Sequence, residues 1–265
     1  MLMRDVEIRN EELKGLLKNL EVEVLRIINE QEDLVKEVVQ DHLNTQDPEA
    51  RLAAGKKGLD GIGEASALFK FAKEKGSTSR ELYDAIIKAS YNHPGGSELT
   101  NGFPTMEHFA SYRDLQKKQA YQGNLFGLIN DISYKYLGGG SMALAALYPP
   151  GGSIGWHHNG NAPGYNILFH YSIDGDGYFR TVHEDKFVDY PDKKGGWVCR
   201  AGLFKSAPQF RTDITTDGRK EIVVADNVED CSWHSAYTKG WRFTLSTILN
   251  NVELREDVIE EIETP

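Results

Sequence analysis

The chain has 265 residues, with 30 Lys and Arg against 40 Asp and Glu, and so carries a net charge of −10 with His neutral. Hydrophobic residues at 40 %, among them 12 Tyr, 11 Phe and 4 Trp, supply enough material for a core and exclude a wholly disordered chain. The acidic balance argues against nucleic acid held by a general basic field. No apolar run approaches the ~18 residues of a membrane span. Two cysteines, Cys199 and Cys231, cannot build a disulfide scaffold or a Cys-rich zinc site and read as buried thiols. The segment Met1 to Asn10 is charged and lacks an apolar signal core, so the expected location is cytoplasmic.

The first half is written in a helical period. Leu13, Leu16, Leu17, Leu20, Val24, Ile27 and Ile28 recur at three- and four-residue steps, and Leu34, Val35, Val38 and Val39 continue the stripe after a phase slip. This predicts one long amphipathic helix from Glu11 to Leu43, or two in line, ended by Asp47-Pro48. A second helix is expected from Pro48 to Lys75, closed by Gly76, and a third from the capping run Ser77-Thr78-Ser79. Asn92 to Pro104 reads as a Gly/Pro-rich loop. Thr105 to Tyr136 reads as another helix, interrupted near Gly123 and stopped by Gly138-Gly139-Gly140.

After Ser141 the period becomes that of strands. Runs rich in aromatic and β-branched residues are separated by turn residues: Met142–Tyr148, Ser153–His157, Tyr165–Ser172, Gly177–His183, Trp197–Phe204, Glu221–Ala225, Cys231–Tyr237 and Trp241–Leu249. Asp174-Gly175-Asp176-Gly177 is expected to turn a hairpin between the third and fourth. Eight strands after a helical block predict an α+β chain with a double-stranded β-helix (jelly roll) core. The expected divisions are a helical region over 1–140 packed on the barrel, the core over 141–250, and an acidic tail over 251–265 that forms a short, fraying helix.

Three histidines fall where chemistry is expected. Trp156-His157-His158-Asn159 ends one strand, and Trp233-His234 opens another 77 residues after His157. Imidazoles brought together from distant strands, with open positions left on the metal, suit a non-haem Fe(II) site. Eight residues beyond His234 comes Arg242, and Arg242 and Thr244 share a strand face because the side-chain period is two. A guanidinium beside a hydroxyl makes a clamp for a carboxylate.

These residues resemble the Fe(II)/2-oxoglutarate-dependent oxygenase superfamily, whose members carry His-x-Asp/Glu at the end of one jelly-roll strand, a distal His, and Arg-x-Ser/Thr about ten residues after it. The resemblance covers about Ser141 to Asn250. It implies His157, Asn159 and His234 as the metal positions, Arg242 and Thr244 as the clamp on the far carboxylate of 2-oxoglutarate, and Tyr148, before Pro149-Pro150-Gly151-Gly152, on the same cosubstrate. Trp156-His157-His158-Asn159 with Ala162-Pro163-Gly164-Tyr165-Asn166 is similar to oxygenase-like proteins encoded by bacteriophages. The implied reaction uses dioxygen, converts 2-oxoglutarate to succinate and hydroxylates a small-molecule or amino-acid-like substrate.

The departure from the family pattern is Asn159, a neutral amide where the pattern has a carboxylate. Members that lack the carboxylate include radical halogenases, which place chloride in the vacated position; that is the alternative activity. A non-catalytic, cupin-like protein binding a metal or a small carboxylate is the alternative of another class. A register with His158 and Gly160 at the motif positions is also open, although the spacing from Tyr148 favours His157. His183-Glu184-Asp185 is a competing motif that reads better as a solvated turn, and Arg242 has the alternative of pairing with an acidic neighbour on the barrel wall.

Overall fold

The computed structural model describes residues 1–47, 62–92, 106–118, 124–137, 141–159, 164–206, 225–249 and 254–265. The architecture is α+β. Helices cover the outer faces of two antiparallel sheets, which face each other across a largely buried interior. No helix among the described residues is long and apolar enough to cross a membrane.

The first strand, β1 (Arg4–Val6), precedes α1 (Glu11–Gln46). Asn10 caps α1 by accepting from the Leu13 N–H, and Glu11 and Glu12 sit in the first turn, where carboxylates suit the helix dipole. The phase slip in the stripe has a structural counterpart: Gln31 leaves helical geometry (φ −138°, ψ 27°), and two straight pieces meet there. Then come α2 (Ile62–Lys75) and α3 (Arg80–Asn92). The other helical residues expected from Pro48, the Glu221–Ala225 strand except Ala225, and most of the 92–104 loop lie outside the described residues.

The segment expected as helix from Thr105 differs. It holds two short strands, β2 (Glu107–His108) and β3 (Ala110–Ser111), then α4 (Tyr112–Lys117) and α5 (Leu125–Tyr136). The reason is tertiary: the backbone groups of Glu107 are held from both sides by Gln46 of α1, and β2 and β3 extend the edges of different sheets.

Eight strands follow among the described residues: β4 (Ser141–Tyr148), β5 (Ser153–His157), β6 (Gly164–Ser172), β7 (Gly177–His183), β8 (Lys186–Pro191), β9 (Gly196–Phe204), β10 (His234–Thr238) and β11 (Arg242–Leu249). The sheets run β1-β9-β6-β11-β4-β3 and β2-β5-β10-β7-β8. The Asp174–Gly177 turn therefore makes no hairpin. It carries the chain from β6 in one sheet to β7 in the other. Strand β8 went unpredicted because its side chains are mostly half-buried or exposed, and Cys231 to Trp233 lie before β10 rather than within it.

Alternation explains why the six-stranded sheet reads as nearly continuous apolar sequence. Leu147, Phe169, Phe243 and Leu245 point outward onto α1 and α5, while Ala146, Tyr148 and Leu168 point inward with Phe179, Phe204 and Ala236. On the far side, Leu82, Tyr83 and Ile86 of α3 cover Trp156 and Trp233. The acidic tail is not a frayed end. It forms α6 (Arg255–Glu263), whose Val258, Ile259 and Ile262 are buried in the same cluster as α1.

Candidate metal centre

Cross-strand pairing places the first two candidate ligands. His157 at the end of β5 lies directly opposite His234 at the start of β10. An irregularity in this ladder sets one residue of β10 (Ser235, between His234 and Ala236) against two of β5 (Gly155 and Trp156, between Ile154 and His157), so Ile154 and His157 both reach the interior. The ring centroids are 4.0 Å apart. His157 Nδ1 lies 2.9 Å from the Gly155 carbonyl and His234 Nδ1 lies 2.7 Å from the Ser232 carbonyl. A carbonyl only accepts, so each Nδ1 carries the proton and each Nε2 presents a lone pair. Burial lowers both pKa values, that of His234 well below the ordinary range, where the neighbouring His157 lowers it further. Two neutral imidazoles with fixed tautomers and rings 4.0 Å apart have the chemistry of metal ligands.

Asn159 lines the same cavity and adopts φ +52°, a left-handed conformation that Asn tolerates and that turns the chain just past β5. His158 goes elsewhere: it is fully buried, absent from the cavity wall, and meets the Trp233 ring edge-on with centroids 4.7 Å apart. The structure thus puts His157 rather than His158 at the cavity; Gly160 lies outside the described residues. Among the described residues, no group of three His, Cys, Asp or Glu side chains is placed to hold a metal. At this end of the cavity the lining includes two imidazoles and a neutral amide.

The cavity measures about 220 Å³. That is smaller than the roughly 300–1,000 Å³ of sites for drug-sized ligands, so it suits a small molecule. Its other side is built from β11 and its neighbours. Arg242 pairs with Tyr148 on β4 and with Ser172 on β6, while Thr244 pairs with Ala146 and His170. Arg242 is 1 % exposed. Its Nε donates to Asp192 Oδ2 at 2.8 Å and its Nη2 donates to His170 Nδ1 at 2.8 Å, while Nη1 has no hydrogen-bond partner. Tyr148 and Thr244 complete this wall, and burial raises the Tyr148 pKa, keeping its hydroxyl protonated. The acidic neighbour anticipated for Arg242 is Asp192, and the guanidinium keeps one free N–H pair as well.

Sequence reasoning missed three residues. His170 and Glu107 line the cavity, and Asp192 holds Arg242. Glu107 shares the inward face of Ile154, its partner across the β2–β5 ladder, and its carboxylate meets His42 Nε2 at 2.7 Å. Burial of His42 pulls its pKa down, but the bond and charge of Glu107 outweigh this and raise it. The alternation of β6 could have flagged His170; nothing in the sequence marks a two-residue strand at Glu107. The competing His183-Glu184-Asp185 is the turn between β7 and β8, with Glu184 and Asp185 at positive φ and His183 more than a third exposed.

No family model and no curated protein matches the chain. One solved structure, a capsular polysaccharide assembling protein, CapF, from Staphylococcus aureus, aligns over 72 % of this chain and 51 % of its own at 12 % identity and a TM-score of 0.22. The chain therefore spans about half the length of that protein, and at this TM-score the likeness carries no argument about fold or function.

Proposed function

We propose that the chain is an Fe(II)- and 2-oxoglutarate-dependent oxygenase built on a double-stranded β-helix. The strand order supports the fold reading. β4, β6, β9 and β11 fall in one sheet and β5, β7, β8 and β10 in the other, so the chain passes repeatedly between facing sheets as a jelly roll does. The observation that carries the functional reading is the juxtaposition of two lone-pair imidazoles and a buried guanidinium with a free N–H group around one small cavity.

In this reading His157 and His234 hold the metal through Nε2, and Gly155 and Ser232 fix their tautomers. Asn159 offers its amide oxygen. Arg242, Thr244 and Tyr148 receive the far carboxylate of 2-oxoglutarate, and Leu168, Phe179 and Phe204 keep bulk water from the reacting atoms. Bound Fe(II) would supply the redox chemistry by which dioxygen oxidises a substrate C–H bond as 2-oxoglutarate becomes succinate and carbon dioxide. The substrate in this proposal is small or amino-acid-like, in keeping with the cavity volume.

Asn159 favours a second reading, a radical halogenase in which a halide occupies the position of the missing carboxylate. The Asp192–Arg242 pair favours a third, a cupin-like protein that binds a metal or small carboxylate without turnover. Incubation with Fe(II), 2-oxoglutarate, ascorbate and dioxygen tests the oxygenase proposal by the formation of succinate. Succinate that appears with the wild type and not with His234→Ala supports it; none above the iron-only background rejects turnover and leaves the binding-protein reading.

A further inference from the structure

We propose that His170 is a neutral hydrogen-bond donor to the ligand carboxylate beside Arg242, and that it selects an ionised carboxylate over uncharged groups there. The inference takes 2-oxoglutarate as the ligand from the proposed function, while the grip itself rests on His170 and its neighbours.

Thr244 on β11 faces His170 on β6, so strand pairing sets the imidazole next to the clamp residues. Arg242 Nη2 can only donate, so His170 Nδ1, 2.8 Å away, must accept. Burial and the nearby charges of Arg242 and Arg200 hold the ring neutral. A neutral imidazole with a lone pair on Nδ1 carries its single proton on Nε2. That Nε2–H is buried and has no hydrogen-bond partner, as is true of Arg242 Nη1. Both residues are 1 % exposed and both line the cavity. Orphaned buried donors are costly in a folded protein, and here both belong to the wall of a ligand-sized space. An acceptor-only group satisfies them together. An ionised carboxylate is such a group, and an alkyl end leaves both unpaired.

Asp192 gives His170 its weight. Its carboxylate, 1 % exposed at the side chain, already neutralises Arg242 at 2.8 Å. A ligand carboxylate therefore meets no excess positive charge at the guanidinium. The Thr244 hydroxyl lies 3.3 Å from His170 Nδ1 and donates to it, so His170 Nε2 is an uncharged donor left for the ligand and carries more of the recognition.

Imidazole NMR of the wild-type protein loaded with Zn(II), a diamagnetic substitute for iron, reads His170 directly. The expected result is an Nε2-protonated tautomer whose proton signal moves downfield when 2-oxoglutarate binds and stays in place with 2-oxopentanoate, which has the same keto-acid end and no second carboxylate. His170→Phe should weaken 2-oxoglutarate binding about tenfold or more, the scale of one hydrogen bond to a charged group, with 2-oxopentanoate unchanged; His170→Gln, which keeps an acceptor and a donor, should retain most of the affinity. An Nδ1-protonated ring, or an Nε2–H signal unmoved by bound 2-oxoglutarate, overturns the inference even if the variants do not fold. If glutarate produces the shift and 2-oxoglutarate does not bind, the His170 grip stands and the cosubstrate reading falls. If neither binds, the inference is overturned.

Discussion

His157 and His234 are direct cross-strand partners at the rim of one sheet, with ring centroids 4.0 Å apart and each Nδ1 bonded to the carbonyl two residues earlier in its own chain segment. The pairing holds the two imidazoles side by side without help from a bound ion. Such preorganisation predicts that wild-type protein binds Co(II) or Zn(II), and that His157→Ala or His234→Ala each weakens binding by at least ~100-fold, beyond the range seen for groups that only orient a ligand. Isothermal titration of the three proteins checks this.

The same rings bear on acid stability. His157, His170 and His234 all have folded pKa values below the ordinary 6.5 because burial penalises the charged ring. The unfolded chain therefore takes up protons that the folded chain does not. Their contribution to stability is complete above pH 6.5 and is lost as pH falls below it. Urea midpoints of metal-free protein should decline from pH 7 to pH 5, and His170→Gln should show a shallower decline.

His42 has the opposite sign. Its pKa is raised through Glu107, so the bond tying α1 to β2 is at full strength below pH 6.5 and fades as pH rises through the folded value. His42→Gln should cost about 1 kcal/mol at pH 6 and less at pH 9, measured as the difference in unfolding free energy from wild type.

Much of this arrangement was legible in the sequence, for identifiable reasons. Strands Ser153–His157 and Gly177–His183 have the expected bounds because turn residues flank them and aromatic or β-branched residues fill them. His157, Asn159, His234, Tyr148, Arg242 and Thr244 all reach one cavity because two-residue periodicity and strand ends fix where side chains point. Glu107 escaped because Gln46 and β5 hold its strand, contacts that no local pattern encodes. Strand β8 escaped because an edge strand with charged, half-exposed residues lacks the apolar signal. Asp192 follows that strand, and its pairing with Arg242 joins residues 50 apart.

The buried Asp192–Arg242 pair gives two further outcomes. Asp192→Ala leaves an uncompensated buried guanidinium and should destabilise the fold by roughly 3–5 kcal/mol. Asp192→Asn keeps the shape and removes the competing negative charge, so the folded fraction should bind 2-oxoglutarate more tightly than wild type. Chemical denaturation and calorimetric titration measure the two effects.

In the proposed centre Asn159 would set the charge at the metal. Two imidazoles, a neutral amide and dianionic 2-oxoglutarate would leave Fe(II) formally uncharged, so an added azide or halide would meet no carboxylate ligand opposing it. Asn159→Asp, which keeps a side chain tolerant of positive φ, should tighten metal binding and suppress azide uptake. Equal azide affinities in the two proteins would remove Asn159 from the metal and reject the halogenase reading in this form.

In the proposed function one cavity holds Fe(II) and 2-oxoglutarate together. An anaerobic titration of wild-type protein with Fe(II) and then 2-oxoglutarate reads this through the visible metal-to-ligand charge-transfer band of the chelated keto acid. A saturable band is expected with wild type, none with His234→Ala, and a weaker 2-oxoglutarate dissociation constant with Arg242→Ala. Wild-type protein that binds Fe(II) and shows no band at saturating 2-oxoglutarate would rule out the shared site.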